Sequence, residues 1–192
     1  LTGEEGYFNT KIIFIAESGP AKHRIKKLSI MDQDGANIKY LTDGKNLTLT
    51  PRFSPDSYQA LYLSYKDNKA RVHLRDLNTQ KDKFLGQFKG MTFAPRFAPS
   101  GKEMAMSLSS KGSSDVVVMD LEAMEYNKIT SGSYINTSPY FSPDGEKIAF
   151  ISDRSGASQI YIMNKDGSDQ KRISFGQGRH YTPIWSPRGD FI

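Results

Sequence analysis

The sequence predicts an all-β protein, a β-propeller built from four-stranded antiparallel blades. Two observations carry this prediction: a seven-residue phrase recurs at a constant interval of 44 residues, and apolar runs of strand length follow it in the same order. The copies of the phrase are Pro51–Ser57, Pro95–Gly101, Pro139–Gly145 and Pro183–Gly189. Because unrelated turns would not stay in step over three intervals, the phrase marks one structural unit copied along the chain.

Each unit is predicted to contain four strands. The first, inner strand ends at the aromatic residue of the phrase, which we expect to pack between neighbouring sheets, and the Pro-Asp-Gly that follows pre-sets a tight turn. Two apolar strands come next, in the fourth unit Ile148–Ile151 and Gln159–Asn164. A more polar strand, Arg172–Ser174 in that unit, suits an outer edge that faces solvent. No stretch of the chain predicts a helix.

The chain divides into blades at about residues 1–47, 48–91, 92–135 and 136–179, and a fifth blade starts at about 180–192. The predicted strands are three before Thr48, three sets of four, and one inner strand near Thr182–Trp185, which makes sixteen. Sixteen strands would permit a closed four-bladed ring. However, residues 188–192 already follow the register of a further second strand, so we expect about four blades of a larger ring. The uncovered blade faces and edges predict self-association between copies or poor solubility.

Composition excludes several classes of function. The chain has no run of about 18 apolar residues, so it contains no predicted transmembrane helix. It has no cysteine, which excludes disulfides and thiolate chemistry. The net charge is +5, and the excess lies in residues 1–90, which hold 15 Lys/Arg against 10 Asp/Glu. Since no dense basic block is interleaved with aromatic residues, nucleic acid is not expected as a partner.

The sequence predicts no catalytic residue, no metal site and no cofactor. Asp32–Gly35 and Asn164–Gly167 lack the later ligands of a calcium loop and are interpreted as turns. The three histidines fall in different repeats, without acidic residues at a ligand spacing. Asp153 beside Arg154 and Ser155 suggests a hydrolase triad, but no Gly-x-Ser-x-Gly elbow exists, so Asp153 is interpreted as a structural turn residue.

The predicted binding positions are the residues just before the first proline of each phrase, in the loops that lead into the inner strands. Loops held by a rigid scaffold at the mouth of a propeller channel commonly bind partners. The alternative interpretation is that small residues there only pack the narrow channel. The positions are Asn46, Leu47, Thr48, Met91, Thr92, Ala94, Tyr134, Asn136, Thr137, Ser138, Arg179, His180, Tyr181 and Thr182.

The repeated phrase, the apolar strand behind it, Ser152–Gly156, Gln159–Met163 and Asp166–Gly167 together resemble the WD40-like repeat of the TolB family. The resemblance covers residues 7–192. The opening segment, Leu1–Ile12, is similar to the point where TolB proteins pass from an N-terminal α/β domain into the first blade. The resemblance implies a six-bladed propeller whose first blade is completed by the C-terminus, and an N-terminal domain that is absent from this chain.

The resemblance also implies a function. It implies a non-catalytic periplasmic scaffold of the Tol–Pal system, with roles in envelope integrity, cell division and protein transport. The implied partner is the peptidoglycan-associated lipoprotein (Pal), with colicin-type peptides at an overlapping site in some species. The family's partner-binding positions carry over most closely to Met91, Ala94 and Thr137. TolA contacts the N-terminal domain of the family, so TolA is not expected to bind this chain.

The repeats alone leave a second class of protein open. A prolyl-oligopeptidase-like serine peptidase carries a non-catalytic propeller with similar repeats. Such a peptidase would need a Gly-x-Ser-x-Gly strand–turn–helix and a later histidine in sequence downstream of the propeller.

Overall fold

A computed structural model describes residues 10–67, 69–86 and 88–192. These residues form β-strands and no helix, so the described part of the chain contains no helix that could cross a membrane. The strands are β1 (Lys11–Ser18), β2 (Ile25–Asp32), β3 (Lys39–Tyr40), β4 (Leu47–Phe53), β5 (Gln59–Lys66), β6 (Lys69–Asp76), β7 (Asp82–Phe84), β8 (Met91–Phe97), β9 (Glu103–Ser110), β10 (Ser113–Asp120), β11 (Tyr126–Lys128), β12 (Asn136–Phe141), β13 (Lys147–Ser152), β14 (Gln159–Asn164) and β15 (Lys171–Arg172).

The strands form four antiparallel sheets that follow one another along the chain. The first sheet has three strands, β1-β2-β3, and the others have four: β4-β5-β6-β7, β8-β9-β10-β11 and β12-β13-β14-β15. Every sheet is a meander in which sequence neighbours are also spatial neighbours. The predicted all-β architecture of successive antiparallel blades is therefore confirmed.

The prediction of an inner strand at residues 182–185 is wrong, because these residues form no strand. The described residues therefore contain fifteen strands rather than the sixteen expected. The turn that should end this strand does form: the Ser186 amide donates to Phe191 O at 2.9 Å, and the Gly189 amide donates to Ser186 O at 2.9 Å. The difference has a physical reason. The turn is closed by bonds among its own residues, whereas a strand needs a neighbouring strand along its full length.

The hydrophobic core lies between the sheets. One buried cluster, with Leu28 and Tyr62, joins the first two sheets, and the largest, with Leu61 and Met106, joins the second to the third. The cluster around Phe150 joins the third to the fourth. The second strands β5, β9 and β13 each contain five consecutive buried residues, so they are covered on both faces, which is why their sequences are nearly continuous apolar runs.

The repeated phrase closes the hairpin that follows each inner strand. In the fourth unit the Gly145 amide donates to Ser142 O at 2.9 Å, and the Lys147 amide donates to the Ser142 hydroxyl at 2.9 Å. The same hydroxyl donates to Asp144, and this bond is the main reason that the pKa of Asp144 lies below its ordinary value; the Glu146 amide contributes next. The structural interpretation of the phrase is confirmed.

Ser57 occupies the turn position that is glycine in the other three copies. Its φ is 61°, in the left-handed region, against 77° for Gly145. Because an L-residue pays a steric penalty there, we expect Ser57→Gly to raise the free energy of unfolding by about 0.5–1 kcal/mol. Urea unfolding of the full-length protein measures the change.

The reverse replacement, Gly145→Ser, is the matched control. An added Cβ at Gly145 meets Pro99 at an ordinary contact distance of 3.7 Å, so only the backbone penalty changes. A loss of about the same size is expected for Gly145→Ser. A loss of stability in Ser57→Gly would contradict the explanation.

Candidate partner-binding face

A β-bulge interrupts each complete inner strand at its proline and the residue before it. The pairing register shifts between Leu49 and Arg52, between Phe93 and Arg96, and between Thr137 and Tyr140. The residue before the proline has a left-handed backbone in all four units: Thr50 (φ 49°), Ala94 (φ 54°), Ser138 (φ 55°) and Thr182 (φ 54°). A sparsely populated backbone region destabilises a non-glycine residue by on the order of 1–3 kcal/mol, and such residues cluster at functional sites. Bulges also re-aim the side chains beside them.

We use "partner-binding face" for the candidate surface formed by the ends of the sheets at which β4, β8 and β12 begin, together with residues 179–182. The structure divides the predicted positions on this face by exposure. The exposed positions are Asn46, Leu47, Met91, Tyr134, Arg179, Tyr181 and Thr182. The half-buried positions are Ala94, Thr137, Ser138 and His180.

Three predicted positions are buried: Thr48 (2% exposed), Thr92 (1%) and Asn136 (0%). They occupy the same place in successive blades, at the start of the inner strand. Their side chains lie within the wall of the propeller and are not accessible to a partner. For these three positions burial favours the packing interpretation over direct binding.

Met91 is an exposed apolar side chain on this face, 54% accessible. It begins β8 opposite Ser109 of β9. The residue before it, Gly90, passes so close to β9 that a Cβ there would lie 2.0 Å from Ser109 O. Because glycine has no Cβ, the chain can pass this close to β9, and Met91 is then exposed at the start of β8.

The third blade fixes the backbone around Thr137. The Ser114 amide donates to Tyr134 O at 3.0 Å, and the Ser114 hydroxyl donates to Asn136 O at 3.0 Å. The Ser138 amide, inside the bulge, donates to the Ser107 hydroxyl at 3.1 Å. The strained segment is thus held by hydrogen bonds from the neighbouring sheet.

The loop after β13 holds the same segment from within the fourth blade. Asp153 Oδ1 accepts a hydrogen bond from the Ile135 amide at 2.8 Å. The Arg154 guanidinium donates to Asn136 Oδ1 at 3.0 Å through Nη2, to Gln170 Oε1 at 2.6 Å through Nη1, and to the Ser152 hydroxyl at 2.9 Å through Nε. The guanidinium therefore connects the start of β12 to the rest of its blade.

Three aromatic rings surround the same guanidinium. Its carbon lies 4.9 Å from the centroid of Tyr161, 5.5 Å from Phe150 and 5.8 Å from Tyr134. Cation–π contacts and hydrogen bonds to neutral oxygens thus stabilise its charge, and no described carboxylate forms an ion pair with it. Sequence reasoning missed Arg154 as a site residue. The sequence feature that could have indicated it is an arginine next to the turn residue Asp153. The turn role of Asp153 is confirmed, since the Gly156 amide donates a hydrogen bond to Asp153 O at 2.8 Å.

The two acidic loops close as turns, as predicted. The Gly35 amide donates to Asp32 O at 3.0 Å, and the Gly167 amide donates to Asn164 O at 2.9 Å. Within residues 10–67, 69–86 and 88–192, no three His, Asp or Glu side chains come together in a group that could hold a metal ion.

Consecutive antiparallel sheets, packed face to face with their first strands innermost, define this part of the chain as a β-propeller. A family profile described as "TolB beta propeller domain" matches residues 1–192. The chain therefore belongs to the TolB β-propeller domain family, and the resemblance drawn from its repeats is confirmed. The opening residues 1–9, which contributed to that resemblance, lie outside the described part of the structure.

Two relatives support the family assignment. The Tol-Pal system protein TolB of Pelagibacter ubique is 61% identical over 79 residues, which is 41% of this chain and 18% of that protein. The crystal structure of TolB from Acinetobacter baumannii superimposes with a TM-score of 0.84 at 30% identity, over 98% of this chain and 47% of that one. This chain thus spans about half the length of that structure.

A puromycin hydrolase also superimposes, with a TM-score of 0.75 at 14% identity over 90% of this chain and 30% of the hydrolase. At this level of identity the likeness shows the fold alone. The TolB relatives therefore carry more weight than the hydrolase when a function is assigned.

Proposed function

We propose that this chain is a non-catalytic, protein-binding propeller of the Tol–Pal system that works in the periplasm. Its proposed partner is the peptidoglycan-associated lipoprotein, bound through the partner-binding face around Met91, Ala94 and Thr137. The observation that supports this site most is the bulge with a left-handed residue, which recurs ahead of the prolines at Pro51, Pro95 and Pro139.

The exposed side chains on this face suit a protein partner. Leu47 is 43% exposed, Met91 54%, Tyr134 42% and Tyr181 59%. Methionine and aromatic residues are enriched at the centres of protein interfaces. Hydrogen bonds with Ser107, Ser114 and Arg154 connect this segment to its neighbours, which lowers the entropy lost on binding.

Replacing Met91 with glutamate is expected to weaken Pal binding by the full-length protein about tenfold or more, because an interface must then bury a charge without a partner. Glutamate at Ala94 or Thr137 is expected to act in the same direction. Isothermal titration calorimetry with the purified soluble domain of Pal measures the change.

A control variant accompanies this test. Tyr58→Glu alters a side chain of similar exposure, 59%, in the turn at the other end of the sheets, and should bind Pal as the wild type does. Unchanged binding by the glutamate variants at all three positions would exclude this face.

Two further proposals concern the other partners. Colicin-type peptides are proposed to compete with Pal on the same face, so a peptide of that kind should displace Pal from the wild type and fail to bind Met91→Glu.

A fragment consisting of this chain alone is proposed to self-associate through uncovered residues such as Phe175 (74% exposed) and Phe191 (72%). Light scattering of the fragment at two concentrations tests this: a monomer at both would exclude it.

A further inference from the structure

A cavity of about 390 Å³ lies at the other end of the inner strands. All four copies of the repeated phrase line it, through residues such as Arg52, Arg96, Tyr140 and Trp185. A cavity that touches the same element of successive blades lies where the inner strands converge, close to the axis of the propeller. Because the phrase ends each inner strand, this cavity and the partner-binding face are at opposite ends of those strands.

Two arginines at equivalent positions of neighbouring blades point their charge into this region without a described acidic partner. Arg52 donates to Pro51 O at 2.8 Å through Nη1, while its Nε is buried and has no hydrogen-bond partner among the described residues. Arg96 lies with its guanidinium carbon 4.9 Å from the centroid of the Tyr140 ring. Within the described residues neither guanidinium forms an ion pair.

The two charges lie close enough to affect each other. The pKa of Arg96 is lowered from its ordinary value, first by burial and then by the positive charge of Arg52. Burying like charges with unused N–H donors is unfavourable unless an anion accepts those donors. The contact with the Tyr140 ring offsets only part of this cost. A cation–π contact is weaker than a charge-assisted hydrogen bond to a carboxylate.

Most of the remaining cavity wall is apolar. Phe97, Pro143 and Trp185 contribute to it. The indole N–H of Trp185 already donates to Tyr140 O at 3.2 Å, so its ring acts as an apolar surface towards the cavity. A small, fully hydrated anion such as phosphate would leave these surfaces without contacts. A carboxylate attached to an apolar body would use both the guanidinium donors and the apolar wall.

We propose that the Arg52–Arg96 cavity is a second binding site, which takes a carboxylate carried on an apolar or aromatic body. Such a group is presented by the end or an acidic side chain of a polypeptide segment. The site is separate from the partner-binding face and does not depend on the function proposed for it.

Titration of the full-length protein with benzoate tests the site. Benzoate is expected to bind the wild type in the millimolar range, whereas the neutral analogue benzamide should not bind. Arg96→Gln and Arg52→Gln should each weaken benzoate binding about tenfold, the value of one charge-assisted hydrogen bond. Lys102→Gln removes the same charge from an exposed residue near the same turn, so it should leave binding unchanged.

Each other outcome overturns the proposal. Absence of benzoate binding to the wild type would mean that a group of the protein itself already fills the cavity. Phosphate binding as tight as benzoate binding would reduce the site to a general anion site. If an arginine variant fails to fold, the side-chain Nε–H resonances of the wild type decide: they should shift with benzoate, and unshifted arginine resonances would exclude the site.

Discussion

Replacing Phe150 with alanine is expected to lower the free energy of unfolding by about 3–5 kcal/mol. Phe150 is fully buried in β13, between the third and fourth sheets. Its ring lies 5.7 Å from that of Tyr161, its partner in β14, and the Arg154 guanidinium covers it at 5.5 Å. Truncation leaves a cavity at the junction of two blades, and the surrounding strands cannot collapse into it without breaking their pairing.

The midpoint of urea unfolding of the full-length protein measures this loss. Phe150→Leu is the matched control: it keeps most of the volume, so it should cost less than about 1.5 kcal/mol. If leucine and alanine destabilise the protein equally, the cavity is not the cause. If neither changes the midpoint, the packing between these blades does not stabilise the propeller.

Replacing Arg154 with alanine is expected to lower the free energy of unfolding by about 2–3 kcal/mol and to weaken Pal binding about tenfold. The stability loss follows because Asn136, which is fully buried, and Gln170 lose their charged donor. The binding loss follows because Asn136 precedes Thr137, so the start of β12 is no longer held at the geometry of the partner-binding face. Arg154 is a positioning residue in this account.

Two variants separate positioning from general stability. Arg154→Lys keeps the positive charge but not the planar fork that reaches three acceptors, so it should recover only part of both losses. Ser155→Ala alters the exposed neighbour in the same loop and should change neither quantity. If Arg154→Ala loses stability but binds Pal like the wild type at a temperature where both are folded, the positioning role is wrong.

The elements that sequence reasoning located best are those determined by short-range patterns. The middle strands β5, β9 and β13 coincide with apolar runs, and the turns of the phrase close through bonds such as that from the Gly145 amide to Ser142 O. The failed inner strand at residues 182–185 shows the limit of this reasoning. A pattern can specify the shape of a segment, but pairing depends on a neighbour that the pattern does not contain.

The candidate site was predicted less completely than the fold. The sequence located the loops before each proline, but it did not distinguish the buried Thr92 and Asn136 from the exposed Met91 in equivalent segments. Neither the bulges nor the left-handed backbone at Ala94 is visible in residue type, since alanine seldom adopts that conformation. Exposure here is set by how a strand bends against the neighbouring sheet.

Local sequence patterns are enough to predict the repeating unit, the order of its strands, its hairpin turns and its family. Periodicity and bonds between near neighbours, such as Ser142 and Lys147, are sufficient for these. Tertiary packing sets which loop residues reach the surface, which contacts hold them and where charged side chains lie without an ion-pair partner. These properties arise from contacts between distant segments: Ser107 with Ser138, 31 residues apart, and Arg154 with Asn136, 18 apart. Such contacts exist only after the blades have packed.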